Sequence, residues 1–267
     1  MSRVSQAAVD HLPPRLFHSL LARQYSFKEP ELRHLLDYVP RNLPALDVGA
    51  WRGPWTLRLA KVVPFVHSFE ASPELAKTLR AIVPANVEVH EVAVSDHSGE
   101  ATLWLVDPRG RGADGRCSLE EQVVSDFKPV PHRVPTVALD DMDLGTVGFV
   151  KIDVEGHERN VLKGAANLLH DQRPVLLVEV EQRLHDIPIA DVWSVLEDMG
   201  YSGWFFMNGR WTSTKEFDVD RHQLDVIEKI EKSGYLLNSF VNLRSYISNF
   251  VFMPADRPGL GSSRRSS

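Results

Sequence analysis

Apolar positions in this chain fall into short runs separated by proline, glycine and polar clusters. Their period switches repeatedly between that of a strand and that of a helix. Pro44 precedes the run 45–49, which reads as a buried strand, and residues 55–63 follow with Leu57, Leu59, Ala60 and Val63 at helical spacing. The pattern then repeats. Residues 65–70 read as a second strand, and Ser72, Pro73 and Glu74 supply an N-cap, a first-turn proline and an acid suited to the positive helix end, opening a helix to Ile82. Residues 87–94 alternate valine with polar positions and continue, past a turn at 95–99, into 101–106, which predicts a hairpin. Further on come a strand at 147–154, a helix from about 157 to 170, a strand at 175–180, a helix at 188–199, a short strand at 204–207 and a final strand at 249–253.

Alternating strand and helix units of this kind imply an α/β fold: a Rossmann-like, mostly parallel sheet with helices on both faces. In such sheets ligands bind beyond the carboxyl ends of the strands, near the topological switch point. The expected organisation is an N-terminal helical extension over 1–43, one main domain over 44–254 and a tail over 255–267 with the composition of disorder. Residues 107–135 lose periodicity and collect Pro108, Gly110, Gly112, Gly115, Pro129, Pro131 and Pro135, so they are expected to form a long lid or substrate loop. Three amphipathic stretches, 30–39, 221–232 and 235–246, read as scaffold, and either terminus could cover the cleft or make a homodimer contact. There is no internal repeat.

Composition narrows the partners. The chain has 267 residues, enough for a full core, and a net charge of −6, so no basic field draws it to nucleic acid or anionic lipid. The single Cys117 excludes an intrachain disulfide and a cysteine-built zinc site, and it fits a reducing cytoplasm, the expected location. Asp10, His11, Arg15 and His18 interrupt any signal-peptide core, and no apolar run approaches the roughly 20 residues of a membrane span.

Candidate chemistry begins at ALDVGAWRGPWT, residues 45–56. Asp47 should fall near a strand tip, because a carboxylate inside the core is costly. In the turn Gly49-Ala50-Trp51-Arg52-Gly53, the two glycines let backbone approach a ligand without a Cβ in the way, and the helix behind offers free amides. The spacing is not GxGxxG, and an acid two positions before the first glycine suits a cationic or hydroxyl-rich ligand better than a phosphate. Glu70, closing VHSFE about 20 residues downstream, could accept hydrogen bonds from both hydroxyls of a ribose. The plainer reading makes Asp47 and Glu70 cap or ion-pair residues of a generic α/β fold.

With these residues the stretches LDVGAWRGPWT, SFEASPE, AVSDHSGEATL and VKIDVEGHERNVLKGA resemble the FkbM family of S-adenosylmethionine-dependent methyltransferases, over roughly residues 44–181. The resemblance implies a class I methyltransferase fold with a seven-stranded sheet whose last strand is antiparallel, and O-methylation of a hydroxyl on a sugar, glycolipid, polysaccharide or secondary metabolite, with S-adenosylhomocysteine as the product. It places the methionine part of the cofactor at Asp47, Gly49 and Gly53, the ribose at Glu70, and adenine near Ala71, Ser72, Ala93 and Val94. Two positions depart from the family: Trp51 stands where Asn is common, and Ala71 where Pro is common. The Trp51 indole could stack on the substrate, face the sulfonium by cation–π attraction, or be a core side chain.

An alcohol acceptor must lose its proton as the new bond forms, and KIDVEGHE, residues 151–158, supplies candidates. In an extended strand Lys151, Asp153 and Glu155 share one side. Asp153 is assigned to the methyl-transfer centre, orienting the cofactor's amino group or the acceptor hydroxyl, or else caps the next helix. Glu155 and His157 compete as general base, histidine having the better unperturbed pKa. Lys151 is expected to pair with a neighbouring carboxylate. Glu179 and Glu181, also alternate, could clamp substrate hydroxyls, or join Asp153 around Mg²⁺, although no motif fixes a metal and a surface charge cluster is the plain alternative. Trp204 and Trp211 could line an acceptor pocket. Amine, amide and carboxylate acceptors stay open; so do a nicotinamide-dependent oxidoreductase, disfavoured by the missing third glycine, and a binding module without turnover.

Overall fold

The alternation of strand and helix seen in the sequence is present in the computed structural model of the chain, which describes residues 14–106, 117–233 and 246–260. Helix α1 (Pro14–Lys28) leads through a short helical turn, Pro30–Arg33, to the first strand. The βα series then runs β1 (Ala45–Val48), α2 (Pro54–Leu59), β2 (Val66–Phe69), α3 (Pro73–Ile82) and β3 (Val87–His90). After an insertion built of β4 (Ala93–Val94), β5 (Gly99–Leu105), β6 (Cys117–Ser118) and β7 (Val130–Val137), it resumes with β8 (Phe149–Ile152), α4 (Glu158–Lys163), α5 (Ala166–Gln172), β9 (Val175–Glu179) and α6 (Ile189–Asp198). The hairpin β10 (Tyr201–Met207) and β11 (Arg210–Ser213), helix α7 (Asp225–Ser233) and β12 (Asn249–Pro254) follow.

The main sheet has eight strands in the order β11-β10-β12-β9-β8-β1-β2-β3. Strands β9, β8, β1, β2 and β3 are mutually parallel, while β12 is antiparallel to both β9 and β10. The fold class is therefore as expected, with one strand more than seven. The addition, β11, folds back through Asn208 and Gly209, both at positive φ (52° and 78°), the backbone that a two-residue hairpin turn needs. The central strands are buried on both faces: Leu46, Val150, Leu176 and Phe250 pack on one side, Ala45, Phe149, Val175 and Val251 on the other.

Several expectations change. Residues 87–106 do not make a hairpin. Strand β3 joins the main sheet beside β2, whereas β4 and β5 both pair with β7 in a separate four-stranded sheet. The irregular segment 107–135 is therefore partly strand, since Pro131 and Pro135 lie on β7 where it pairs only with β5 and no second ladder needs their missing N–H groups. Residues 107–116 lie outside the described residues. The single helix expected from 157 to 170 is broken at Gly164, where a Cβ would lie 2.0 Å from the carbonyl oxygen of Ser95, so the insertion's backbone crosses there.

Of the N-terminal extension, α1 packs beside α2 and α3, and among the described residues no helix is long and apolar enough to cross a membrane. Of the expected tail, residues 255–260 are described and Leu260 packs into the core beside Trp204, while 261–267 lie outside. The amphipathic stretch 235–246 also lies outside the described residues, apart from Tyr246.

Candidate functional site

Strands β1 and β8 are neighbours from which the chain continues in opposite directions across the sheet, and a cleft of about 240 Å³ opens over their carboxyl ends. Its walls come from the segments leaving β1, β2, β8 and β9, from β4, from Cys117 to Leu119 of the insertion, and from Tyr25 and Glu29 of the N-terminal region.

The β1 wall is the turn Gly49-Ala50-Trp51. At Gly49 (φ 79°) a Cβ would sit 1.8 Å from the carbonyl oxygen of Asp153, so only glycine lets the turns after β1 and β8 meet. Trp51 is left-handed (φ 50°), as is Glu155 (φ 49°) on the facing turn, a costly backbone for residues with a Cβ. Gly53 (φ 79°) lies behind this wall as the N-cap of α2, pressed against Leu79. Trp51 itself lines the cleft, its ring 5.5 Å from that of Tyr25 and 5.6 Å from the Arg52 guanidinium, so it is neither core nor solvent.

Glu70 closes β2 with a buried carboxylate held by backbone: Trp51 N donates to Oε2 at 2.7 Å and Ser72 N donates to Oε1 at 2.8 Å. Each oxygen keeps lone-pair capacity for a ligand hydroxyl. Burial pushes this carboxyl up to about 7, with the Ser72 and Trp51 amides pulling the other way. Beside it Ala71, Ala93, Val94, Leu103 and Cys117 form an apolar slot, while Ser72 is the buried N-cap of α3 rather than part of the wall.

Asp47 does not reach the cleft. Its side chain is 0% exposed; Oδ2 accepts from Thr56 Oγ1 at 2.5 Å and Oδ1 lies 4.0 Å from Lys151 Nζ. The β1–β8 register places Asp47 directly beside Lys151, and Lys151 Nζ donates to Asp153 Oδ2 at 2.9 Å, so a buried acid is joined to a cleft acid through one ammonium. Burial alone would lower the Lys151 pKa, but the Asp153 and Asp47 carboxylates overcome that and raise it. The expected pairing of Lys151 with a neighbouring carboxylate is observed.

Around this ammonium the cleft gathers Asp153, Glu179 and Glu29. Burial, then Asp153 and Glu181, raise the Glu179 pKa well above the usual range, and Ser248 Oγ donates to its Oε1. Glu29 receives the Trp55 indole N–H at 2.6 Å and is pushed up to about 7 by burial, Lys151 opposing. No local pattern in the sequence marks Glu29, which reaches the site only because the N-terminal region folds over the sheet.

His157 lines the cleft, but both ring nitrogens are engaged. Glu120 Oε1 lies 2.7 Å from Nδ1, and Ser95 Oγ lies 2.9 Å from Nε2. The hydrogen bond to His157 lowers the Glu120 pKa, so that carboxylate accepts and Nδ1 donates to it. Both ring nitrogens thus have partners within the chain. Glu155 lines the cleft, with its carbonyl accepting from Ser118 Oγ at 2.7 Å.

Glu181 is not part of the cleft wall; it is bound by Arg183 through two hydrogen bonds of 2.6 and 2.8 Å and by the Tyr246 hydroxyl. Asp153 and Glu179 line the cleft whereas Glu181 does not, and among the described residues these three carboxylates do not form a grouping close enough to share one ion. Trp204 and Trp211 are also elsewhere: Trp204 packs against Gly259, and Trp211 against Tyr38 and Phe206.

Because the pKa values of Glu29 and Glu70 lie above the ordinary carboxyl value, the folded chain binds more protons than the unfolded chain between about pH 4.5 and 7, and these groups cost stability as pH rises. Glu29→Gln keeps an acceptor for Trp55 but cannot ionise. Its melting temperature relative to wild type is expected to climb as pH goes from about 5 to 8. Thermal melts across that range check it, and a constant difference would contradict the assigned direction.

The family model of the methyltransferase FkbM domain matches residues 47–202. Among solved structures, the chain is similar to a methyltransferase FkbM from Methylobacillus flagellatus (14% identity, TM-score 0.48, 79% of this chain and 44% of that one). This chain thus spans less than half of that protein. It is also similar to a precorrin-6y C5,15-methyltransferase from Geobacter metallireducens (13% identity, TM-score 0.36, 66% of this chain and 75% of that one). A third similarity is to a TehB-like SAM-dependent methyltransferase from Corynebacterium glutamicum (12% identity, TM-score 0.38, 67% and 75%). No curated protein matches the chain.

Proposed function

We propose, from the premise that this chain belongs to the FkbM family of methyltransferases, that it methylates a hydroxyl group of a sugar-bearing small molecule or glycoconjugate, using S-adenosylmethionine. The observation that carries this reading is the division of one cleft into two ends. At one, Glu70 offers two backbone-anchored carboxylate oxygens beside an apolar slot; at the other, Glu29, Asp153 and Glu179 surround Lys151.

The first end fits the nucleoside of the cofactor. Glu70 would accept the two ribose hydroxyls, Ala71, Ala93 and Val94 would flank the adenine, and the bare Gly49-Ala50-Trp51 turn would take the methionine part with Asp153 opposite. Asp47 would act through Lys151, by holding the ammonium that fixes Asp153. Bound there, the cofactor supplies a methyl group already activated by its sulfonium.

What remains for the protein is to align the acceptor, exclude water and take a proton. Asp153 and Glu179 present acceptors for sugar hydroxyls at the second end. Glu29 is assigned as general base in place of His157: it lines the cleft, and a carboxyl near 7 is matched to proton removal at neutral pH, whereas both His157 nitrogens are occupied. His157 then positions the Glu120 and Ser95 segments against the β8 turn. Glu155, on that turn, is the second candidate.

The test is calorimetric titration with S-adenosylhomocysteine, followed by transfer of labelled methyl to panels of polyols, sugars, amines and carboxylic acids. Saturable binding and label in an ether product are expected. No binding would overturn the cofactor assignment, and label confined to amines would overturn the hydroxyl acceptor. Glu29→Gln is expected to lower kcat by about 100-fold with unchanged S-adenosylhomocysteine affinity. If Glu155→Gln does so and Glu29→Gln does not, Glu155 is the base.

A further inference from the structure

On the outer pair of parallel strands, β2 and β3, three side chains that the methyl-transfer reading does not use come together. The β2–β3 register pairs His67 with Glu88 and Phe69 with His90, so His67, Glu88 and His90 project from the same face of the sheet. His67 Nδ1 and His90 Nε2 lie 3.1 Å apart, and Glu88 Oε2 lies 3.6 Å from the first and 3.7 Å from the second. Among the described residues this is the one grouping of three histidine, cysteine or acidic side chains whose donor atoms all fall within 4.8 Å of one another.

We propose that His67, His90 and Glu88 bind one divalent transition-metal ion, zinc by the chemistry of the donor set, and that the ion clips edge strand β3 to β2. A triangle with those three sides has a centre about 2 Å from every corner, which is the length of a bond from zinc to imidazole nitrogen or carboxylate oxygen. Two imidazoles and one carboxylate suit zinc and its transition-metal neighbours; magnesium and calcium call for oxygen donors throughout.

The rings are held in place before any ion arrives. His90 stacks on Phe69 with centroids 4.7 Å apart and planes 18° apart, and Phe65 meets His67 edge-on at 4.9 Å. The two histidine side chains are 12% and 17% exposed while Glu88 is 56% exposed, so the trio has an apolar floor and one open side for an ion and a water ligand. Burial lowers the pKa of both histidines, which leaves them as the neutral imidazoles that a metal requires. Without an ion, the two facing nitrogens share a single proton in one hydrogen bond.

The clip would act on the strand that supports Glu70, because the carbonyl of His90 accepts the Glu70 backbone N–H at 3.0 Å. It does not depend on the proposed reaction.

The experiment uses the full chain without an affinity tag, treated with chelator and then titrated with zinc chloride by calorimetry at neutral pH. A parallel titration with Co²⁺ follows the visible absorption of a tetrahedral site. Wild type is expected to take up one zinc per chain and to melt at higher temperature with it. Glu88→Gln, an exposed change that leaves the packed rings intact, should weaken binding, and His67→Asn with His90→Asn should remove it, with circular dichroism verifying the fold. Absence of saturable zinc uptake by wild type, or the same stoichiometry and affinity in Glu88→Gln and the double variant, would overturn the site.

Discussion

Lys151→Met is expected to cost about 3–5 kcal/mol of folding stability, the usual penalty for removing one partner of a buried ion pair. The side chain is 2% exposed and lies in a parallel sheet beside Asp47, which is 0% exposed. Methionine fills nearly the same volume, so little of the effect would be a cavity. What changes is electrostatic. Asp47 keeps the Thr56 hydroxyl on Oδ2, while Oδ1 has no hydrogen bond among the described residues and lies 4.0 Å from the ammonium. Asp153 loses its 2.9 Å partner as well. A fall in Tm on the order of 10 °C corresponds to that penalty, readable by thermal or urea denaturation. Adding Asp47→Asn to Lys151→Met removes the stranded charge and should recover much of the loss. The deficit of the single variant should also shrink in mild acid, since burial already raises the Asp47 pKa and protonation would discharge it. A single variant as stable as wild type would mean that this ammonium is not what holds the two acids.

That triad also shows how far the sequence could be read. The order of strands and helices was legible because each parallel strand is a short apolar run between turn residues, and the Ser72-Pro73-Glu74 signal marks the start of α3 directly. Gly49, Glu70 and Asp153 were recognisable because polar or glycine positions at the end of an apolar run have few structural uses. Depth was not legible. Asp47 and Glu70 look alike in the sequence, each an acid in an apolar strand. The register buries one against Lys151, whereas the other extends past the strand end, where backbone amides turn toward it. Periodicity likewise could not separate Glu179 from Glu181. Both stand on one side of an extended strand, yet the backbone leaves β9 between them and Arg183 draws the second away. Contacts distant in the chain left no local signal: Glu29 reaching Trp55, β7 pairing back onto β5, and the Glu120 carboxylate that occupies His157.

Glu70→Ala is expected to weaken S-adenosylhomocysteine binding on the order of 10³-fold. Two charge-assisted hydrogen bonds at about 1.5–3 kcal/mol each give a loss of that size, and the alanine also leaves the Trp51 and Ser72 amides without their acceptor. Glu70→Gln should fall between alanine and wild type, because it keeps one acceptor oxygen but turns an amide hydrogen toward a backbone N–H. The pH dependence gives an independent readout. In the ligand-free chain the carboxyl sits near 7, so below that pH it must shed a proton before it can accept two hydroxyls. Wild-type affinity should therefore rise from about pH 5.5 to 7.5 and level off above, and the glutamine and alanine variants should lack this slope. Titrations at several pH values measure both effects. Equal affinity in wild type and Glu70→Ala, or a slope that survives the substitution, would place the nucleoside away from the end of β2. The chain would then keep its fold, with its cofactor end elsewhere in the cleft.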